Sequence, residues 1–243
     1  MKILVIGDSC IDIFKYGYVN RLAPEAPVPI IVPFKTTKNP GMAGNVVANF
    51  EALGVSVDLI TNKEEIRKIR YVDEKYNQII VRVDENDSCL PAEEINIELG
   101  KYDAIVISDY CKGFLNEDLI KSIATAKDAP IFLDTKKQLG NWCKDIDYIK
   151  INYQEGLRNE KVLRENKTLR DKTIITRGKL GCTFNGKNYP TVDVPVKDVS
   201  GAGDTFLAGL VYEFVRTKDI DTAIDFAQIC TTKVVQKPGV TTV

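Results

Sequence analysis

Five short segments, Ile3 to Ile6, Ala104 to Ile107, Ile131 to Leu133, Tyr148 to Ile151 and Thr173 to Ile175, are apolar along most of their length rather than at alternate positions. A strand with apolar side chains on both faces needs cover on both sides, which places these segments in the centre of a mostly parallel sheet between two helical layers. Their polar terminators, Asp8, Asp109, Asp134, Asn152 and Thr176, then stand at the carboxyl ends of the strands, where open α/β sheets bind ligands. Between them, Ala43 to Leu53, Asn116 to Ala126, Gly203 to Val215 and Ile220 to Val235 repeat apolar residues every three or four positions, the pattern of amphipathic helices. The alternation predicts an α/β sandwich. Asp12 to Tyr18, Pro29 to Phe34, Ile66 to Asp73 and Gln78 to Asp84 instead roughly alternate polar and apolar residues, which predicts half-exposed strands in a small sheet inserted into the main domain. A length of 243 residues suits one large α/β domain over 1–243, with the inserted sheet formed discontinuously by about 12–34 and 66–85.

Composition excludes several chemistries. The chain has no histidine, so Ser-His-Asp triads and H-E-x-x-H zinc sites are absent, and any general base is a carboxylate, lysine, tyrosine or cysteine. Its six cysteines lack a C-x-x-C pair, which favours free thiols in a reducing cytosol. The 33 basic and 34 acidic residues nearly cancel, so no global field recruits nucleic acid or an anionic membrane. The MKILVIGDSC start carries too short an apolar run for a secretory signal or a membrane span and reads as a first buried strand, making a cytoplasmic protein the expectation.

The densest chemical signal is DVSGAGDTFLAGL, Asp198 to Leu210. Gly201, Ala202 and Gly203 lead into an apolar helix, and unpaired N–H groups at a helix start, approached past residues without large side chains, suit a phosphate or a developing anion. Asp204 in that first turn is redundant for binding an anion. It makes sense as the base that takes a proton from a hydroxyl attacking phosphorus, although a carboxylate there also complements the helix dipole.

DVSGAGDTFLAGL resembles the C-terminal signature of the ribokinase-like (PfkB) carbohydrate kinases, and further stretches match in order along nearly the whole chain. Asn152 and Glu155, in KINYQEG, resemble the N-x-x-E motif that organises magnesium and phosphate, here through water. Thr176, Gly178 and Gly181, in TRGKLG, resemble the nucleotide-lining turn, and Lys136 falls in a family-like nucleotide segment. GDSCID resembles the segment whose second acid, Asp12, contacts sugar hydroxyls, and PGMAGNVVANFEALG resembles the substrate loop, with Gly41 and Asn45. Arg82, Lys112 and Arg70 lie in family-like segments and are candidates to meet a sugar phosphate. Within the family, residues 16–30, 69–87 and 108–115 are similar to kinases of D-glycero-β-D-manno-heptose 7-phosphate.

The resemblance implies a three-layer α/β/α sandwich with an inserted β-sheet lid, ATP and Mg²⁺ as cofactors, room for a monovalent cation, a small sugar or sugar-phosphate substrate, and a homodimer surface on the lid. It implies transfer of the γ-phosphate to a sugar hydroxyl, the anomeric one for a heptose 7-phosphate, with Asp204 as base and the N–H groups of Ala202, Gly203 and Asp204 facing the phosphoryl group. A nucleoside or other small-molecule kinase of the same fold, or a non-catalytic nucleotide-binding regulator, are the competing readings.

The pattern departs from the family in two places. Met42 stands where a second glycine is usual, and a side chain there restricts φ and the approach of substrate. The connection NKEEIRK, the stretch Gly156 to Asp171 and the end at KPGVTTV read as a shortened kinase without the nucleotidyltransferase sometimes fused to the heptose enzymes.

Overall fold

The structure is a computed structural model that describes residues 1–95 and 98–243. The apolar segments form the parallel centre of an eight-stranded sheet. From one edge it runs β4 (Ser56–Ile60), β1 (Lys2–Gly7), β7 (Ala104–Asp109), β8 (Ile131–Thr135), β9 (Tyr148–Asn152) and β10 (Thr173–Thr176), all parallel, then the antiparallel β11 (Cys182–Phe184) and β12 (Lys187–Tyr189).

Side-chain alternation along the strands sorts the core into two halves. Ile3, Val5, Val106, Phe132 and Ile174 pack beneath α1 (Ala43–Ala52), α6 (Ala202–Thr217) and α7 (Ile220–Val234). Leu4, Ile6, Ile105, Ile107, Leu133, Ile149 and Ile151 pack on the opposite face against α2 (Glu117–Thr125), α4 (Glu160–Glu165) and α5 (Lys167–Asp171). The compressed stretch from Gly156 thus folds as the end of α3 (Tyr153–Arg158) followed by two short helices, each burying one leucine, Leu163 and Leu169. Neither half of the core reaches solvent, which is why the strands carry apolar residues on both sides.

The inserted sheet, expected to act as a lid, is a separate four-stranded sheet in the order β3-β2-β5-β6, from β2 (Ser9–Leu22), β3 (Pro29–Met42), β5 (Ile66–Asp73) and β6 (Gln78–Glu85). It reaches further than the alternation indicates. Pairing between Ser9 and Met42 and between Asp12 and Asn39 extends β3 through KTTKNPGM, a stretch whose proline and polar residues read as loop. Pairing with the long β2 overrides that local preference, since Pro33 and Pro40 lie on an edge strand where a missing N–H costs little.

Candidate active site

The strand ends, the start of α6 and the inner end of the lid converge on one cleft. α6 begins at Gly201, whose φ of 78° is left-handed and whose absent side chain leaves room for Asn45: a Cβ there would lie 2.6 Å from Asn45 Nδ2. The N–H groups of Gly203 and Asp204 have no acceptor among the described residues, whereas that of Ala202 donates to Val199 O at 3.2 Å. The N–H groups left free among the described residues are therefore those of Gly203 and Asp204; that of Ala202, the expected third donor, closes the turn.

Asp204 is buried and held from two sides. Tyr110 Oη donates to its Oδ1 at 2.6 Å and Asn45 Nδ2 to its Oδ2 at 2.8 Å, so a strand end and the start of α1 fix the carboxylate plane. Burial pushes its carboxyl above the usual aspartate range, and the charge of Asp134 adds to this. The bonds from Tyr110 and Asn45 and the ammonium of Lys150 oppose the shift. A carboxylate whose proton affinity is raised while its lone pairs remain directed is suited to accept a proton from a hydroxyl. Tyr110 is positioned by Asp8, whose Oδ2 accepts the N–H of Tyr110 at 2.7 Å and that of Lys112 at 3.2 Å. Asp8 thus anchors the loop after β7 and does not face a ligand.

Beside the start of α6, Thr176, Gly178 and Gly181, the residues expected to line the nucleotide, share one pocket with Ala202, Gly203, Phe206 and Gln228. Asn152 and Glu155 form a capping box on α3: Asn152 Oδ1 accepts the N–H of Glu155 at 2.9 Å and Glu155 Oε2 accepts that of Asn152 at 2.7 Å. The other oxygen of Glu155 pairs with Lys136 Nζ at 2.9 Å, and Lys136 also meets Asp134 at 3.4 Å. Among the described residues no cluster of three or more acidic or cysteine side chains could hold a metal directly. Magnesium carried on nucleotide phosphates with much of its water shell is the form this donor set fits, since metal-bound waters would donate to the remaining lone pairs of the Glu155 carboxylate.

On the lid side, Asp12 is buried and ion-paired with Arg70 across the β2–β5 ladder, and a Cβ on Gly41 would collide with the Asp12 carboxylate. Arg82 is exposed and forks onto Asp84 through two bonds of 2.8 Å, and Lys112 pairs with Asp87 at 2.6 Å. Met42 sits at φ 56°, ψ −128°, a conformation glycine favours, but its side chain is 3% exposed and packs with Cys10 and Ile66.

Three residues of the cleft escape sequence reasoning. Tyr110 differs from an ordinary strand-end aromatic only through its reach to Asp204. Lys150 occupies a position that reads as one charge in a strand. Lys68, half-buried on β5, is held over the Tyr110 ring with its Nζ 5.5 Å from the centroid and has no carboxylate or hydrogen-bond partner among the described residues. Burial lowers its pKa, Cys10 and Asp12 pull it back up, and Lys112 and Arg82 are near enough to lower it further.

Known proteins resemble this chain along nearly its whole length. Residues 43–243 match the family described as pfkB family carbohydrate kinase. The bifunctional protein HldE of Nitratiruptor sp. is 30% identical over 292 aligned residues, covering 99% of this chain and 63% of that protein. HldE of Caulobacter vibrioides is 29% identical over 295, covering 98% and 60%. The chain therefore spans about three fifths of the length of these curated relatives. Among solved structures, a carbohydrate kinase from Agrobacterium tumefaciens superposes with a TM-score of 0.72 at 18% identity, over 99% of this chain and 92% of that one. Arabidopsis thaliana ribokinase, solved with ribose and ATP, gives 0.71 at 16% identity over 98% and 93%. The fold is thus the ribokinase-like α/β/α sandwich with an inserted sheet, and the chain belongs to the pfkB family of carbohydrate kinases.

Proposed function

We propose that the protein transfers the γ-phosphate of ATP to a hydroxyl of a phosphorylated sugar, a heptose 7-phosphate at its anomeric hydroxyl being the substrate the features favour. The observation that carries the transfer reaction is Asp204: a buried carboxylate, oriented by Tyr110 and Asn45, in the same helical turn as the N–H groups of Gly203 and Asp204, which are unpaired among the described residues. A base and an anion-binding site one residue apart are what an in-line displacement at phosphorus requires.

Asp204 takes the proton of the acceptor hydroxyl as its oxygen bonds to phosphorus, and the bond to the β-phosphate oxygen breaks. The N–H groups of Gly203 and Asp204 bind the charge gathering on the transferring group. Asp12, fixed by Arg70, and Asn45 orient the sugar hydroxyls. Magnesium, when bound with the nucleotide, neutralises charge on the phosphates. Alignment contributes about 7–11 kcal/mol in such sites against about 10²- to 10⁴-fold for the base. The rigid seating of Asp204 therefore matters more than its basicity.

Support for a phosphorylated acceptor comes from Lys68, an ammonium unpaired among the described residues and held over the ring of Asp204's partner Tyr110, with Lys112 and Arg82 near it. A half-buried ammonium without a counter-ion is costly and is relieved by an incoming phosphate. The similarity of residues 16–30, 69–87 and 108–115 to heptose 7-phosphate kinases points the same way. ADP release with heptose 7-phosphate, hexose 6-phosphates, unphosphorylated heptose, ribose and adenosine tests the reading. The expected result is fastest turnover with the phosphorylated heptose and a KM for it raised at least tenfold by Lys68→Ala. Preference for ribose or adenosine, with no effect of Lys68→Ala, would overturn the acceptor. Nucleotide binding without turnover on any acceptor would favour a regulator.

A further inference from the structure

Lys150 lies on β9 in the buried centre of the sheet. Ile149 and Ile151 face α2, α4 and α5, so by strand alternation Lys150 faces the α6 layer with Tyr148. A lysine there is unfavourable unless its charge is compensated, and the compensation is partial. Its side chain is 4% exposed, and Nζ makes one bond among the described residues, to Asp134 Oδ2 at 2.7 Å, its direct neighbour in the β8–β9 ladder. Asp134 divides its charge, since Lys136 also approaches it at 3.4 Å. Two of the three N–H donors of Lys150 are left without acceptors in a place where water is nearly excluded.

Those donors sit against the catalytic turn. A Cβ built on Gly203 would lie 2.9 Å from Lys150 Nζ, so the missing side chain of Gly203 leaves the ammonium exposed to whatever occupies the N–H cradle. Ordinary burial of a salt bridge does not call for this arrangement, which spends a glycine inside a helix turn to bring a cation against an anion site.

We infer that Lys150 is a catalytic residue that binds an oxygen of the transferring phosphoryl group through its two free N–H donors while the third keeps Asp134. The inference rests on the kinase reading above. In the transfer step the acceptor oxygen bonds to phosphorus, the bond to the β-phosphate oxygen breaks, and the hydroxyl proton passes to Asp204. Lys150 stays protonated throughout and contributes a full positive charge beside the two backbone dipoles. The N–H groups of Gly203 and Asp204 bind any phosphate at this turn, and the ammonium favours the state in which charge is greatest.

Lys150→Met and Lys150→Arg, each checked by thermal melting, test this by turnover and by calorimetry with ADP in the presence and absence of fluoroaluminate. The methionine variant is expected to lose roughly 10²- to 10³-fold in kcat, the effect of removing one charge-stabilising donor, with KM for ATP changed by less than about threefold. It should bind ADP alone as the wild type does and lose at least tenfold of the affinity gained with fluoroaluminate. The arginine variant, which keeps the charge, should recover at least about tenfold of the lost turnover. A folded Lys150→Met with kcat within threefold of wild type and an undiminished fluoroaluminate gain would make Lys150 a structural ion pair and overturn the inference. Wild-type protein that neither binds ATP nor turns over would instead overturn the kinase reading itself. A crystal of the wild type with ADP, magnesium and fluoroaluminate is decisive whatever the variants' folding. Lys150 Nζ within about 3.2 Å of a fluoride supports the role, and all fluorides beyond about 4 Å refute it.

Discussion

Asp204→Asn separates the chemistry of this site from its architecture. The asparagine is isosteric, and its oxygen can continue to accept from Asn45 Nδ2 while its amide donates to Tyr110 Oη, because a phenol hydroxyl both donates and accepts. Both contacts persist, although the hydroxyl hydrogen of Tyr110 gives up its carboxylate acceptor. What is lost is the proton acceptor, and a general base contributes about 10²- to 10⁴-fold, equivalent to about 2.7–5.5 kcal/mol at roughly 1.36 kcal/mol per tenfold. Stability should move the other way. Burial raises the Asp204 carboxyl, so the folded chain holds that proton more tightly than the unfolded chain does. The associated stability is fully present below the unfolded aspartate value and is lost as pH rises through the shifted one, leaving the ionised group a net cost at neutral pH. The neutral amide removes that cost. The expected outcome is kcat reduced by about 10²- to 10⁴-fold, nucleotide affinity within a few-fold, and a Tm at pH 7 equal to or above that of the wild type, the advantage shrinking as the pH is lowered towards 4. Coupled ADP release, calorimetry and melts across pH measure all three. Turnover within tenfold of wild type would remove Asp204 from the role of base, and a large fall in Tm at neutral pH would refute the electrostatic reasoning.

Tyr110→Phe removes a bond that stabilises ionised Asp204, so the acid limb of the kcat/KM profile should move to higher pH; an unmoved limb would contradict the pairing. Glu155→Gln keeps the capping box, which accepts glutamine, but strips the charge opposite Lys136. Because that carboxylate is buried and the glutamine amide nitrogen would face the Lys136 ammonium, it should cost about 1–3 kcal/mol in urea unfolding while raising the magnesium concentration needed for half-maximal turnover. Met42→Gly relieves a backbone conformation costing about 1–3 kcal/mol but empties a buried site worth about 2–5 kcal/mol, so the net loss should be about 1–2 kcal/mol; a loss above about 4 kcal/mol would show no strain at residue 42. The lid exposes Tyr18, Val32, Phe34, Ile79, Val81 and Val83, and light scattering should show a dimer that Phe34→Glu dissociates, a monomeric wild type refuting this surface.

How far the sequence discloses the molecule depends on whether a signal is local. The two-sided apolar strands and the 3.6-residue spacing of α1, α2, α6 and α7 are properties of short windows, and so is the glycine turn before Asp204. The second half of β3 is not: KTTKNPGM becomes strand only because β2 pairs along its whole length. The polar strand ends look equivalent in sequence, yet Asp8 and Asp109 are consumed by loop N–H groups, a threonine hydroxyl and Lys137, whereas Asp134 is held by the lysines beside the phosphate turn. Ala202, expected to donate to the anion, closes a turn with Val199, a detail set by how α6 starts. Lys68, Tyr110 and Lys150 acquire meaning from neighbours distant in the chain, and only their placement in space shows it.

The most direct test of the account follows the phosphorus atom. With wild-type protein, MgATP and heptose 7-phosphate, ³¹P NMR should show the γ-phosphate signal of ATP decaying as a sugar phosphate signal grows in equal amount, split by the anomeric proton, and neither change should occur with Asp204→Asn over the same period. Loss of γ-phosphate to inorganic phosphate alone, or growth of the sugar signal undiminished in Asp204→Asn, would contradict it.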